Sequence, residues 1–364
     1  MTESGWQLST PAWEEWLYSM LEGDVAVIAP LPGATGAYEF RRVESAREAA
    51  APHPGRTPMS PKELLFPRSE VLFSFELTGE AAAIARPEGD HCTQLLVGVR
   101  PCDAAGLRRL DQVFLDKPAD LTYSERRQRT VIISEACSLA EPSCFCTAVG
   151  GSPNGKEGAD LLLTRLEGSD DLLLEPVTET GTELVAKASA SWRGISPEQA
   201  TRAARQAEAA AASITRAPLP PETPDILASS FDSPAWAEVA PGCIGCGICT
   251  YACPSCSCFD ITDSGSASCG SRCRSWDSCA FAGFTRHASG HNPRPDQPSR
   301  YRQRVMHKFS YFPAEHGGEL MCVGCGRCID LCPAGVDIHR AVSALGGGAT
   351  EKPMRESTRP GVRA

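Results

Sequence analysis

The chain lacks a long apolar run of the kind that crosses a bilayer as a helix. Its first sixteen residues, "MTESGWQLSTPAWEEW", carry acids where a secretory leader would carry a hydrophobic stretch. A cytoplasmic protein without a membrane span is expected. Positive charge is also short: 35 Lys and Arg stand against 45 Asp and Glu, for a net charge of -10 at pH 7. That argues against a nucleic-acid partner, because phosphate-binding proteins gather excess Lys and Arg on one face. No Gly-x-Gly-x-x-Gly opens a helix after a strand, since "GATGAY" and "VGGSPNG" fail the spacing, so a nicotinamide cofactor is expected to bind elsewhere. Neither end carries the paired Cys-x2-Cys motifs that hold nickel. The seven histidines, His287, His291 and His307 among them, form no metal-ligand spacing. His307, beside apolar residues in "MHKF", is expected to be structural.

What the chain does have is cysteine, eighteen in 364 residues. In a long chain without a leader, thiolates on metal are expected rather than a disulfide framework. Cys243, Cys246, Cys249 and Cys253 follow Cys-x2-Cys-x2-Cys-x3-Cys-Pro, and Cys322, Cys325, Cys328 and Cys332 repeat it. Zinc sites usually use two close pairs held apart, whereas three ligands two residues apart wrap one face of an iron-sulfur cube. Two copies predict two [4Fe-4S] clusters. In bacterial-type pairs the fourth Cys reaches across, which gives Cys243, Cys246, Cys249 and Cys332 to one cluster and Cys322, Cys325, Cys328 and Cys253 to the other. Gly245, Gly247, Gly324 and Gly326 let the backbone fold tightly against the sulfurs, and Pro254 and Pro333 redirect the chain after the fourth ligand.

Cys102 follows the strand-like "QLLVGV", and Cys137, Cys144 and Cys146 crowd the loop after "TVIIS". Loops leaving neighbouring strands meet at one sheet edge, where these four thiols would enclose a third cluster. A redox-inert core or a single reactive thiol is the alternative, and Asp103 is a candidate substitute ligand or tuning neighbour. Cys256, Cys258, Cys269, Cys273 and Cys279, between the two grids, match no ligand spacing, and Cys92 is also unassigned. An extra metal site or free thiols remain open there.

The expected fold is α+β and multidomain: an N-terminal mixed α/β domain over 1–192, then a mainly helical ferredoxin-like dicluster domain. The first part holds an amphipathic helix "PAWEEWLYSMLEG", strands "DVAVIAP" and "SEVLFSFEL", and a hairpin across "EGSDD". A capped, Ala-rich helix and the stiff "APLPPETP" form a linker over 193–229. The dicluster domain follows over 230–347 with a long insertion, then a tail, 348–364, without apolar periodicity. The run from Arg272 to Lys308 is rich in Arg, His and aromatics, and reads as a solvated face, a potential-raising charge near a cluster or a docking surface.

The combination of "SPKELLFPRSEVLF", "GVRPCDAAGL", "ACSLAEPSCFC", "CPSCSCFD", "RSWDSC", "GHNPR", "RYRQRVMHKFSYFP" and "CVGCGRCIDLCP" resembles the family of sulfhydrogenase beta subunits and anaerobic sulfite reductase iron-sulfur subunits, from Trp13 to Ile338. The resemblance implies a cytoplasmic iron-sulfur subunit that works with two others, one flavin-containing and NAD(P)H-reacting, the other catalytic. The expected role is electron transfer to or from a nickel-iron hydrogenase, with a sirohaem sulfite reductase as the alternative. A second alternative makes the N-terminal domain itself act on a sulfur substrate.

Overall fold

A computed structural model of the protein describes residues 5–345, apart from 24, 54, 80, 88, 90, 91, 187–191, 240 and 241. The expected tail, 348–364, lies outside the described residues. In chain order the strands are β1 (Trp6–Ser9), β2 (Val25–Pro32), β3 (Tyr38–Arg42), β4 (Ser69–Thr78), β5 (Ala81–Ala85) and β6 (Thr93–Val99). They continue with β7 (Thr130–Glu135), β8 (Leu161–Arg165), β9 (Asp171–Pro176), β10 (Arg193–Gly194), β11 (Phe259–Gly265) and β12 (Cys269–Trp276).

One eight-stranded sheet runs β10-β1-β9-β8-β7-β6-β2-β3. Its centre, β2, β6, β7 and β8, is parallel, with antiparallel β3 and β9 on its flanks. The central strands read as apolar runs because both faces are covered. Leu95, Val97 and Ile133 face Trp13, Trp16 and Leu17 of the helix Thr10–Glu22. Leu96, Val99 and Ile132 face Ala104, Leu107 and Leu110 of the helix Pro101–Phe114. The first helix starts where expected, with Ser9 as its cap and Pro11 in its first turn. Full burial of Trp13 and Leu17 contributes about 2–3 kcal/mol each. The helix Pro197–Ala212 also starts as read, with Ser196 and Gln199 forming a capping box.

One strand read as part of the N-terminal layer, β4 ("SEVLFSFEL"), lies in a different sheet. The second sheet runs β11-β12-β4-β5, so a hairpin from the insertion between the grids adds to β4, with partners such as Cys269 and Glu76 or Ser275 and Ser69 far apart in sequence. The segment 230–347 therefore carries a β-hairpin beside its helices. Every residue of β11 is exposed, so the brief alternation of Phe259 and Ile261 in "FDITDSG" is a weak signal, and pairing with β12 makes the segment a strand.

The two halves also share a core. Phe145 and Ala148 pack with Trp236, Tyr301, Val305, Phe309, Ile338 and Val342, and the Phe145 amide donates to the Gly324 carbonyl at 2.8 Å. Gly106, inside the helix Pro101–Phe114, lies against Pro254 of the first grid. A Cβ there would stand 2.5 Å from Pro254 Cβ, and a proline ring has no far end to swing away. Gly106→Ala is expected to lower stability by about 1–3 kcal/mol despite the better helix former, read as a lower midpoint in anaerobic thermal unfolding.

Candidate metal centres

Both cysteine grids fold alike. Gly245 and Gly247, and Gly324 and Gly326, all take positive φ, between 64° and 77°. Each second glycine then caps a short helical turn, Ile248–Tyr251 or Arg327–Asp330. A side chain at these positions would strain the turn that lets three sulfurs face one space.

Cys243, Cys246, Cys249 and Cys332 line one cavity, together with Tyr301 and Val336. Cys253, Cys322, Cys325 and Cys328 line a second, with Arg304, Lys308 and Phe145. The fourth cysteine of each run thus stands with the first three of the other. Cys328 and Arg304 line both cavities, so the two sets are neighbours. No carboxylate lines either one. The donors are sulfur alone, with cations and N–H groups around them: Gln297 Nε2 donates to Cys243 Sγ at 3.1 Å and the Val336 amide to Cys332 Sγ at 3.2 Å. Such bonds stabilise negative charge on sulfur.

Burial pushes Cys322 up to about 12, and Cys249 and Cys328 upward as well. A thiolate at these depths is favourable only with cations bound in place of the protons. Among the described residues no three His, Cys, Asp or Glu side chains converge closely enough for a single metal ion. A four-iron cage is larger than one ion, and its ligands stand around it rather than on a point.

The N-terminal cysteines also come together. β6 and β7 are parallel neighbours, and the loops after them bring Cys102, Cys137, Cys144 and Cys146 to the wall of one cleft of about 550 Å³. Cys102 sits in the first turn of the helix Pro101–Phe114, and Cys137 is fixed by its amide bond to the Pro153 carbonyl at 2.8 Å. Burial pushes Cys137 to about 11 and Cys146 to about 12. Cys325 of the second set lines this cleft too.

Asp103 is engaged otherwise than as a ligand. Its two carboxylate oxygens accept from Arg327 at 2.5 and 2.8 Å, with both residues 1% exposed. Arg327 also donates from Nε to the Thr57 carbonyl at 2.8 Å. On the far side, Arg56 bridges Glu141, at 2.6 Å, to Asp330.

The cationic run from Arg272 to Lys308 is not simply a solvated face. Arg274, Arg304 and Lys308 are all buried. Arg274 lies among Phe66, Phe114 and Phe259 and pairs with Glu70 and Asp120. Lys62 gives no signal in the sequence, because "SPKELLF" looks like a helix start with a surface lysine. Its ammonium donates to the Thr250 and Cys256 carbonyls at 2.9 and 3.1 Å and stacks 4.1 Å from the Trp276 ring.

Residues 242–336 match the family model of a 4Fe-4S dicluster domain. Over 301 residues, 82% of this chain and 86% of the relative, the sequence is 31% identical to sulfhydrogenase 2 subunit beta of Pyrococcus furiosus. The chain belongs to the sulfhydrogenase beta-subunit family. It is an iron-sulfur electron-transfer subunit, and the dicluster match gives it two [4Fe-4S] clusters. No solved structure matches it. No helix among the described residues of this family member is long and apolar enough to cross a membrane.

Proposed function

We propose that this chain is the cytoplasmic relay of a multisubunit oxidoreductase, carrying electrons between an NAD(P)H-reacting flavoprotein and a nickel-iron hydrogenase, each a separate partner subunit. The ligands are Cys243, Cys246, Cys249 and Cys332 for the first [4Fe-4S] cluster and Cys253, Cys322, Cys325 and Cys328 for the second. Cys102, Cys137, Cys144 and Cys146 hold a third. The observation that carries this reading is a shared wall at each step: Cys328 lines the first and second cavities, and Cys325 lines the second cavity and the third cleft. That is the arrangement of a row, with the second site in the middle.

When bound, such clusters supply reversible one-electron redox chemistry. The chain's own residues fix the spacing, exclude water and set the local charge. Arg304 and Lys308 place two buried cations at the middle site, which favours the more negative state there. The outer ends differ. Cys246 is exposed at the first site beside Ile244, 70% exposed, and the third cleft carries Leu139, 74% exposed, on its rim.

Iron and sulfide analysis of anaerobically reconstituted protein tests the row. About twelve iron atoms per chain are expected, falling to about eight in Cys137→Ser or Cys144→Ser with the remaining clusters intact by electron paramagnetic resonance. About eight in the unaltered chain, with no change in either variant, would remove the third site.

A further inference from the structure

Three buried or half-buried thiols, Cys256, Cys258 and Cys279, line none of the three spaces that gather the twelve ligand cysteines. They pack sulfur to sulfur instead. Cys258 and Cys279 hydrogen-bond through their side chains, and the Cys279 amide also reaches the Cys258 sulfur. Cys256 makes the same kind of contact with Cys253, a ligand of the second site.

The fold holds this contact in place. Cys258 immediately precedes β11 and Cys279 follows β12, so the two sit at the neck of the hairpin. The neck is closed by the Phe259–Trp276 pair and by the Asp277 amide bonded to the Cys258 carbonyl at 3.0 Å. Thr250, on the helical turn of the first grid, donates to Ser278 at 2.9 Å.

Positive charge gathers beside these thiols. Lys62, Arg304 and Lys308 are 2%, 4% and 2% exposed, and among the described residues none of them forms an ion pair with a carboxylate. Buried cations need an anionic counterpart. The second site provides one for Arg304 and Lys308, which line it, and its ligand Cys253 is also among the sulfurs around Lys62, with Cys256 and Cys258. The Arg304 guanidinium also stands 3.7 Å from the Cys256 sulfur.

We propose that Cys258 and Cys279 form a redox-active dithiol/disulfide couple beside the second cluster, connected to it through Cys256 and Cys253. This rests on the reading that Cys253 holds that cluster. Ligands of one four-iron cage stand apart around it, whereas two thiols in contact are placed to form an S–S bond. In the reducing direction the Cys258–Cys279 S–S bond breaks. Two electrons arrive singly from reduced iron-sulfur centres of the relay, and two protons from solvent at half-buried Cys258 complete two thiols. Oxidation forms the bond again, returns both electrons to the relay and releases both protons. The pair is thus a two-electron store beside one-electron carriers, suited to partners that exchange hydride equivalents.

The test poises the iron-loaded full chain at graded potentials without oxygen, quenches it in denaturant with an alkylating agent and a chelator, and maps the peptides by mass spectrometry. A linked Cys258–Cys279 peptide is expected at oxidising potentials and two alkylated cysteines at reducing ones. Reductive titration should take up about two electrons more than the clusters account for, and Cys279→Ala should lose that excess at unchanged iron content. Loss of about four iron atoms in Cys279→Ala would make the residue a cluster ligand and overturn the proposal, as would alkylation of both cysteines at every potential. The native peptide map decides the matter even if the variant fails to fold. Cys253→Ser separates the two readings: full iron retention there removes Cys253 from the second cluster, while the linked peptide still decides the couple.

Discussion

Cys253→Ser combined with Cys246→Ser is expected to remove both ferredoxin-type clusters, about eight iron atoms per chain, whereas Cys332→Ser combined with Cys246→Ser removes about four. The difference follows from the crossing of the fourth ligands. Cys246 and Cys332 line one cavity, so the second substitution damages a site already lost. Cys253 lines the other, with Cys322, Cys325 and Cys328, so its loss is additional. If each run instead kept its own fourth cysteine, the outcomes would exchange: the pair within one run would lose four and the pair across runs eight. Iron analysis, with electron paramagnetic resonance to catch a surviving three-iron centre, distinguishes the two arrangements without knowing any potential.

Asp103→Leu is expected to lower stability by about 3–5 kcal/mol, a large part of the total of a typical domain. The cost is not the lost attraction alone. The substitution leaves the Arg327 guanidinium buried, at 1% exposure, with only the Thr57 backbone and hydroxyl oxygens as partners. Arg327→Met costs a similar amount by stranding the carboxylate. The double variant Asp103→Leu with Arg327→Met recovers most of the loss, because removing both charges of a buried pair is often close to neutral. Anaerobic denaturant unfolding of the four proteins checks this, and additive losses would contradict it. The chemistry at stake is local as well. Asp103 follows Cys102 in sequence and Arg327 precedes Cys328, so one ion pair welds the third cysteine set to the second. The single variants should therefore also release iron more readily than Gly106→Ala does at the same loss of stability.

Much of the site was legible because its signals are local. The spacing of Cys322, Cys325, Cys328 and Cys332 is a property of eleven consecutive residues, and the glycines between them need positive φ whatever lies around them. The meeting of Cys102 with Cys137, Cys144 and Cys146 was readable one level up, from two apolar strands that each run into a cysteine-bearing loop. What stayed hidden depends on contacts between distant segments. Nothing in "PCDAAG" shows that Asp103 faces an arginine 224 residues on. Nothing in "SPKELLF" shows that Lys62 enters a sulfur-rich interior, because one lysine between apolar residues has the same pattern on a surface. The strand character of β11 was hard to read for another reason: only Phe259 and Ile261 alternate and both stay exposed, so the apolar periodicity is too short to stand out.

The four-stranded sheet, joined from two distant segments, has a consequence for how the protein is made. When the ribosome has finished β4 and β5, the edge that β12 will cover stays open until nearly two hundred more residues emerge, roughly 10–40 s at ordinary elongation rates. Throughout that interval the nascent chain presents an unpaired ladder bearing Phe73, Phe75 and Leu77, a natural target for holdase chaperones. The closing strand and both cysteine grids lie in the last third of the chain, so the ladder and the metal centres are all completed late in its synthesis.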